Sequence, residues 1–541
     1  MSAVIDEDRT NSTGGFFGHP KGLSTLFFTE MWERFSFYGL RPLLVLFMAA
    51  AVTQEGWGWD RSEASAIVGI YAAFVYLASL PGGWIADKLL GLRRAVLIGG
   101  SLISLGHLTI GVSAFVDSKL PFFLGLIFIV LGTGLLKPNI SAMVGDLYPE
   151  GGARKDAGFS IFYMGINLGA MIGQLVTGFL GEKIGWHWGF AAAGAAMILG
   201  LIVFWIRSPK TLGDIGSEPT RHPDPKIQAK QEMQVKLLTG IGLAILALVV
   251  ALVATGFIAI NAFVVGTYLA YVLVGIGFLY FAYLFIFGGL EGDEWKRILV
   301  IGVLFVFAAI FWSAFEQTPT ALNLFARDFT DRNIAGFEMP ATWFQSVNSF
   351  FIILLAPVIA AFWTFLGRKN YDLSSPVKFS IGLGLSALAF IIMIFASYIV
   401  VGGVGVLVSP FWLIAFYLFL TLGELFVSPV GLSSMTTLSP RRYVGQMMGI
   451  WFLASSVGNL IGGLVGGEVD PENLSAMPRL FTTTTLFLGG AAIVLLILSV
   501  PIARMMRKAK KETVVDEEVV ETTADIPPQP EEPEDGPGDG R

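Results

Sequence analysis

Long apolar runs, separated by short polar stretches, recur along almost the whole of this 541-residue chain. Each run is roughly 20–28 residues long, and a helix needs about 20 apolar residues to cross a bilayer. Transmembrane β-strands would instead alternate apolar and polar residues over about 10 positions, a pattern that is not seen here. The runs therefore predict an all-α integral membrane protein with fourteen transmembrane helices, in groups of six, two and six. We expect these helices near residues 23–51, 65–86, 95–115, 121–145, 158–181, 187–206, 237–260, 262–290, 298–322, 341–366, 379–402, 410–435, 443–466 and 480–503.

A weak internal repeat relates the two groups of six helices. The sequence RKDAG begins the run near 158–181, and RRYVG begins the run near 443–466. The helix before each carries a proline, Pro138 or Pro429. Two six-helix halves in parallel register are the basis of one large transporter architecture. The predicted segments are an N-terminal cytoplasmic segment (1–22), an N-terminal bundle (23–206), a cytoplasmic linker (207–236), an inserted helix pair (237–290), a C-terminal bundle (297–504) and an acidic, disordered cytoplasmic tail (505–541).

The loops also differ in charge between the two sides of the membrane. An even number of helices places both termini on one side, where the loops carry roughly two dozen Lys and Arg residues against about six in the opposite loops. Cytoplasmic loops of membrane proteins carry an excess of these residues. Both termini are therefore predicted to be cytoplasmic.

The composition agrees with a membrane protein and excludes several functions. The chain is 54% hydrophobic and 14% charged, with a mean hydropathy of +0.69, whereas soluble domains are about 25% charged. It contains no cysteine, so disulfides, thiol catalysis and Cys-type metal sites are excluded. The four histidines are scattered and show no metal-ligand spacing. Because no catalytic constellation can be assembled either, we expect neither an enzyme nor a metal or other cofactor.

The first apolar run carries an unusual stripe of polar residues. Glu30, Glu33, Arg34, Tyr38 and Arg41 recur at helical spacing and fall on one face. Each charge would cost about 2.5–3.5 kcal/mol at the middle of the bilayer if it were unpaired. The stripe is therefore expected to face the interior of the bundle or a water-filled cavity.

Three further charges inside apolar runs are candidate partners for this stripe. Lys137, Glu316 and Glu424 lie in the runs near 121–145, 298–322 and 410–435. The direction of each helix places Arg41 and Glu316 in the outer half of the membrane, and Lys137 and Glu424 at or below its middle. We predict that Arg41 pairs with Glu316, and that Lys137 pairs with Glu424 or with the cluster of Glu30, Glu33 and Arg34. Two such pairs at different depths would act as gates for alternating access, although each pair could equally be structural.

Several motifs in order along the chain resemble one transporter family. EMWERFSFYG, at residues 30–39, resembles the ExxERFxYYG motif of the proton-dependent oligopeptide transporter family, a branch of the major facilitator superfamily. GGWIADKLLGLRR at 82–94 resembles the superfamily's loop between its second and third helices. GFSIFYMGINLGAMIGQ, WFQSVNSFF, GELFVSPVGLSSM and GQMMGIWFLASSVGN resemble further signatures of the family. Phe37 departs from the motif, which has a tyrosine there, so the preference for substrate side chains is open.

The resemblance implies proton-coupled import of di- and tripeptides across a bacterial inner membrane, with peptides, protons and the lipid bilayer as partners. It assigns the peptide carboxylate to Arg34, Arg41, Lys137 and Tyr38, and the peptide amino terminus to Asn167, Asn348 and Glu424. It assigns the pocket wall to Phe37, Tyr76, Trp312, Ser428 and Trp451. It assigns proton coupling to Glu30, Glu33, Glu316 and, as their partner, Arg34.

The charged residues support a zwitterionic substrate on physical grounds as well. Such a substrate needs a cationic and an anionic pole separated by its own length, which is roughly 7 Å for a dipeptide and 14 Å for a tetrapeptide. A cavity between helices packed about 8–10 Å apart suits the shorter peptides. The alternatives are a relative that transports nitrate or another anion, a drug-type proton antiporter, and a receptor or scaffold without transport. An anion transporter would have no amino group to satisfy Glu424.

Overall fold

The computed structural model describes residues 15–369, 371, 373–403 and 406–524, with side chains described as far as Arg504. Fourteen of the fifteen helices in these residues are long, so the predicted all-α architecture of six, two and six helices is confirmed. The long helices are α1 (Lys21–Ala49), α2 (Arg61–Ile85), α3 (Leu92–Val112), α4 (Leu120–Asp146), α5 (Gly152–Phe179), α6 (Trp186–Thr211), α7 (Pro225–Ala254), α8 (Ala262–Phe287), α9 (Glu294–Phe315), α11 (Trp343–Arg368), α12 (Ser375–Gly402), α13 (Phe411–Thr437), α14 (Val444–Val465) and α15 (Ala476–Ala524).

Short elements extend or join these helices. Single π-helical turns continue α2 (Ala86–Leu90) and α5 (Leu180–Ile184), and a third (Thr318–Leu322) leads from α9 into the short helix α10 (Asn323–Phe329). A two-stranded antiparallel ribbon, β1 (Asn333–Ile334) and β2 (Phe337–Glu338), precedes α11. Three 3₁₀ turns lie at Val52–Gln54, Arg441–Tyr443 and Gly466–Glu468.

Helix α1 is the exception among the long helices. In the described part of the chain, thirteen helical segments are long and apolar enough to cross a membrane, and α1 is not among them. It carries Glu30, Glu33, Arg34 and Arg41, all of them 6% exposed or less. These charges are tolerated because α1 lies inside the bundle, where ion pairs compensate them.

Glycines allow the helices within the N-terminal half to pack closely. A Cβ atom on Gly169 of α5 would lie 2.1 Å from the Met31 carbonyl oxygen of α1. A Cβ atom on Gly173 would lie 2.5 Å from the Phe35 carbonyl oxygen of the same helix α1. Small residues permit this approach, which is a common way for helices to associate in a membrane. The closeness of α5 fixes the position of the charged face of α1.

The two halves meet at one end of the molecule, which we call the closed end. Arg61 of α2 pairs with Asp328 of α10 at 2.5 Å, and Lys183 pairs with Glu338 at 2.9 Å. The Glu182 carboxylate accepts hydrogen bonds from the backbone N–H groups of Ala341 and Thr342. We call the opposite end, toward which the half of α5 with the 41% exposed Tyr163 points, the open end.

The inserted helices lie outside both bundles. Helix α8 packs on α14 and α2, and a Cβ atom on Gly266 would lie 3.1 Å from Leu464 of α14 and 3.6 Å from Ile70 of α2. Tyr280 of α8 also donates a hydrogen bond to Gln446. In α7, Val235 is the one buried residue.

Helix α15 continues beyond the predicted last transmembrane segment. It ends at Ala524, so the first part of the predicted tail (505–541) is helical. Residues 525–541 lie outside the described part of the chain, as do residues 1–14 of the predicted N-terminal segment.

Candidate functional site

A cavity of about 240 Å³ lies between the two halves. Four helices of the N-terminal half (α1, α2, α4 and α5) and four of the C-terminal half (α9, α11, α13 and α14) supply its walls. Tyr163 of α5 both lines it and is 41% exposed, so the cavity is continuous with the open end. Thirteen of the fifteen sequence-predicted site residues line it: Glu30, Arg34, Tyr38, Arg41, Tyr76, Lys137, Asn167, Trp312, Glu316, Asn348, Glu424, Ser428 and Trp451.

The two predicted residues that do not line the cavity are Glu33 and Phe37. Phe37 is 3% exposed and stacks on Tyr71 of α2, with ring centroids 6.3 Å apart, so its assignment to the pocket wall is corrected. The physical reason is its angular position. At 100° per residue, Glu33 and Phe37 lie at the edge of the polar stripe of α1, on the side that faces α2.

Arg34 holds two carboxylates at the N-terminal side of the cavity. Its Nε atom lies 3.1 Å from Glu30 Oε1 and also donates a hydrogen bond to Glu33. All three side chains are at most 2% exposed. The remaining donor, Arg34 Nη2, has no hydrogen-bond partner among the described residues. One cation thus balances two buried anions, and a cavity occupant can still reach the guanidinium.

Arg41 and Glu316 connect the two halves nearer the closed end. Arg41 Nη2 lies 2.5 Å from Glu316 Oε2 and 2.6 Å from Asn459 Oδ1 of α14. The exposed fractions of the Arg41 and Glu316 side chains are 7% and 3%. The depth argument from sequence placed these two residues together, and the structure has them in contact. Their role as a gate stays a prediction.

Lys137 and Glu424 behave differently, because no ion pair joins them in the part of the chain that the structure describes. Lys137 Nζ lies 4.1 Å from the centre of the Tyr76 ring, a cation–π contact. The Glu424 carboxylate accepts a hydrogen bond from Asn348 Nδ2 at 3.0 Å. The predicted pairing is therefore absent from this conformation. One cation on the N-terminal half and one carboxylate on the C-terminal half face the same cavity without a direct ionic partner.

Several uncharged polar residues of the cavity were missed by sequence reasoning. Gln174 Oε1 and the Tyr417 hydroxyl are buried without a hydrogen-bond partner among the described residues. Gln345 donates to the Thr318 carbonyl at 2.6 Å. Helical spacing was the available signal, since Gln174 lies seven residues after Asn167 on α5, and Tyr417 lies seven residues before Glu424 on α13. Among the described residues, no cluster of three His, Asp or Glu side chains could hold a metal ion.

Comparison with known proteins agrees with this geometry. A model of the POT family matches residues 93–212 and 276–475. The peptide transporter YePEPT of Yersinia enterocolitica is 50% identical over 474 residues, covering 87% of this chain and 93% of that protein. A di-/tripeptide transporter of Lactococcus lactis subsp. cremoris is 37% identical over 452 residues, which cover 82% of this chain and 89% of that transporter. A crystal structure of a peptide transporter POT in complex with sulfate is 38% identical and has a TM-score of 0.83, covering 93% of this chain and 99% of that one.

Proposed function

We propose that this chain, which belongs to the POT family, carries di- and tripeptides across the cell membrane together with protons, by alternating access. The observation that carries the proposal is the placement of Lys137 and Glu424. Each faces the central cavity from a different half, and no ion pair joins the two in the described residues. A zwitterionic peptide can satisfy both groups and thereby connect the halves.

The peptide carboxylate is expected at the cationic side of the cavity. Lys137 is the cation there that lacks an ionic partner, and Arg34 has a free donor, Nη2. Arg41 and Tyr38 border the same region. The ammonium group is expected at Glu424, where Asn348 already orients the carboxylate and Asn167 lines the cavity nearby. Trp312, Trp451, Tyr76 and Ser428 form walls with few fixed charges, which suits varied side chains.

Proton coupling follows from competition for Arg34. A substrate carboxylate that draws this guanidinium away leaves Glu30 and Glu33 without their cation in a buried site. A carboxylate in that position binds a proton more readily, because burial disfavours the charged form. Glu316, paired to Arg41 near the closed end, is the third carboxylate that we assign to this process.

Alternating access would exchange a contact between Arg41 and Glu316 for a contact between Lys137 and Glu424. The contact between Arg41 and Glu316 supports a shut gate at the closed end, and the lack of an ion pair between Lys137 and Glu424 in the described residues supports an open gate at the other end. We infer that the open end is cytoplasmic, because it carries the Lys- and Arg-rich loops, and that the protein resides in the inner membrane of a bacterial-type cell. Both termini then lie in the cytoplasm.

Uptake into liposomes tests this function. Dialanine, trialanine, tetraalanine and nitrate are compared with and without an inward proton gradient. Dialanine and trialanine should accumulate only with the gradient, whereas tetraalanine and nitrate should not. Nitrate uptake driven by the gradient would favour an anion transporter. Accumulation of dialanine that is insensitive to the gradient would exclude proton symport.

A further inference from the structure

A second cavity lies on the membrane-facing surface of the C-terminal half. It has a volume of about 420 Å³ and lies between α8, α9, α14 and α15. Ala314, Val457 and Leu488 form a floor that is at most 1% exposed, while Phe278 and Phe487 at the rim are 59% and 66% exposed. We call it the α8 crevice. It shares no lining residue with the central cavity.

Most polar groups of the α8 crevice lie in the part nearest the closed end; Ser313, whose hydroxyl donates to the Ile310 carbonyl, lies about one helical turn deeper than Gln317. Glu468 and Arg479 form its mouth, with Arg479 Nη2 3.5 Å from Glu468 Oε2. About one helical turn deeper lie Thr483 and Gln317. Gln317 is 3% exposed, and its Oε1 atom has no hydrogen-bond partner among the described residues. A purely hydrocarbon occupant would leave this acceptor unpaired, which is costly in a buried site.

Apart from Ser313, the rest of the α8 crevice is apolar, and it has about the length of one membrane leaflet. Its deeper lining consists of Val274, Phe278, Phe305, Val306 and Phe487. From Arg479 to Leu488, a rise of 1.5 Å per residue gives a length of about 14 Å. Half of the hydrocarbon core of a bilayer is about 15 Å. An acyl chain that enters from the leaflet at the closed end therefore reaches the end of the crevice.

We propose that the α8 crevice binds one phospholipid with an ethanolamine head group. Arg479 binds the phosphate, and Glu468 accepts hydrogen bonds from the ammonium group, so the two opposite charges at the mouth match the two charges of the head group. The Thr483 hydroxyl lies at the depth of the glycerol esters and can donate to an ester carbonyl, and water beneath the glycerol can donate to Gln317. One acyl chain fills the apolar part. Since α8 supplies one wall, the inserted helix pair completes this lipid site.

The choice of ethanolamine rests on the charges at the mouth. A choline head group carries a cation without N–H donors, and a glycerol head group carries no cation. Both keep the phosphate for Arg479, but choline cannot donate a hydrogen bond to Glu468, and the glycerol hydroxyls donate only uncharged, weaker ones. A preference of about two- to fivefold for the ethanolamine lipid is expected, the range that a single exposed ion pair supports.

Native mass spectrometry of the intact protein tests the head-group assignment. The protein is first equilibrated with equal amounts of ethanolamine, choline and glycerol phospholipids that carry the same acyl chains. The unmodified protein should retain one lipid, with the ethanolamine lipid favoured. Glu468→Gln should remove the preference but keep the lipid. Arg479→Gln should lower retention of all three lipids. Equal retention of the three lipids by the unmodified protein, or an unchanged preference in Glu468→Gln, would overturn the proposal.

A crevice-filling variant tests the location. Ala309 of α9 lines the α8 crevice, and Ala309→Phe should abolish the retained lipid. Ala247 of α7 is exposed and lines neither cavity, so Ala247→Phe is the matched control and should keep it. Lipid retention by Ala309→Phe equal to that of the control places the lipid elsewhere and overturns the proposal. If the unmodified protein appears as a dimer without lipid, a helix of a second copy fills the crevice and the proposal is wrong. If Ala309→Phe does not fold, the Glu468→Gln variant, at a half-buried position, decides alone.

Discussion

Replacing Glu316 by glutamine removes the charge that holds Arg41 at the closed end. The Arg41 side chain is 7% exposed, so its guanidinium would remain buried beside neutral acceptors alone, the new amide oxygen and Asn459 Oδ1, which lies 2.6 Å from Arg41 Nη2. Loss of one partner from a buried ion pair costs about 3–5 kcal/mol. We take the lower value, about 3 kcal/mol, because Asn459 stays in place. At about 1.4 kcal/mol for each factor of ten, the ratio of shut to open molecules at the closed end should fall about 100-fold.

The chain contains no cysteine, so spin labels can be attached at introduced cysteines alone. The change in the ratio of shut to open molecules is therefore directly measurable. Spin labels at Val52→Cys and Phe411→Cys report on the closed end, since these residues lie on different halves there and are 73% and 74% exposed. Double electron–electron resonance in lipid nanodiscs should show one shorter distance in the otherwise unmodified protein. Glu316→Gln should add a longer distance as the major population.

Two controls separate the ion pair from other effects of the substitution. Glu472→Gln removes an exposed carboxylate near the same end and should leave the distances unchanged. The exchange Arg41→Glu with Glu316→Arg should restore part of the shorter distance, because it reverses the pair without abolishing it. An unchanged distance distribution in Glu316→Gln would refute the assignment of this pair as a gate.

Three further predictions address coupling, substrate length and stability. Glu33→Gln should abolish proton-driven accumulation of peptide, because glutamine cannot bind and release a proton. Exchange of labelled for unlabelled peptide should survive, and loss of both activities would indicate a structural role for Glu33. Tetraalanine should compete with dialanine at least tenfold more weakly, because its span of about 14 Å exceeds the spacing of about 8–10 Å between packed helices. Equal competition would contradict the two-pole arrangement. Gly173→Val should lower the free energy of unfolding by about 1–3 kcal/mol, because its Cβ would lie 2.5 Å from the Phe35 carbonyl oxygen. The control is Gly384→Val, whose Cβ would have no atom within 4 Å, and it should leave the midpoint of thermal unfolding unchanged.

The sequence was sufficient for the helices and for most residues of the cavity, because the helices and the polar face of α1 follow from periodicity and the other cavity residues follow from the resemblance to the family. A helix with four buried charges had to face an interior, and α1 does. The resemblance placed Phe37 in the pocket wall, but its angular position near the edge of the polar stripe leaves it facing α2 rather than the cavity. Periodicity gives the face of a helix, but the boundary of that face depends on where the neighbouring helix packs.

Contacts between helices were less predictable than their faces. The pairing of Arg41 with Glu316 followed from depth alone, whereas Lys137 and Glu424 at similar depths are not paired in this conformation. Depth fixes the position along the membrane normal, but the lateral distance depends on which end of the molecule is open. The α8 crevice was also invisible in the sequence, because it results from the docking of an inserted apolar helix against three others.

The central claim is that a peptide connects Lys137 on one half to Glu424 on the other. Isothermal titration calorimetry tests this claim most directly. It measures the binding of dialanine, N-acetyl-dialanine and dialanine amide to the unmodified protein and to the variants Lys137→Gln and Glu424→Gln. In the unmodified protein both blocked forms should bind more weakly than dialanine. Lys137→Gln should remove the penalty for amidation but keep that for acetylation, and Glu424→Gln should do the reverse. The account is contradicted if each variant keeps both penalties, or if the two variants lose the same one.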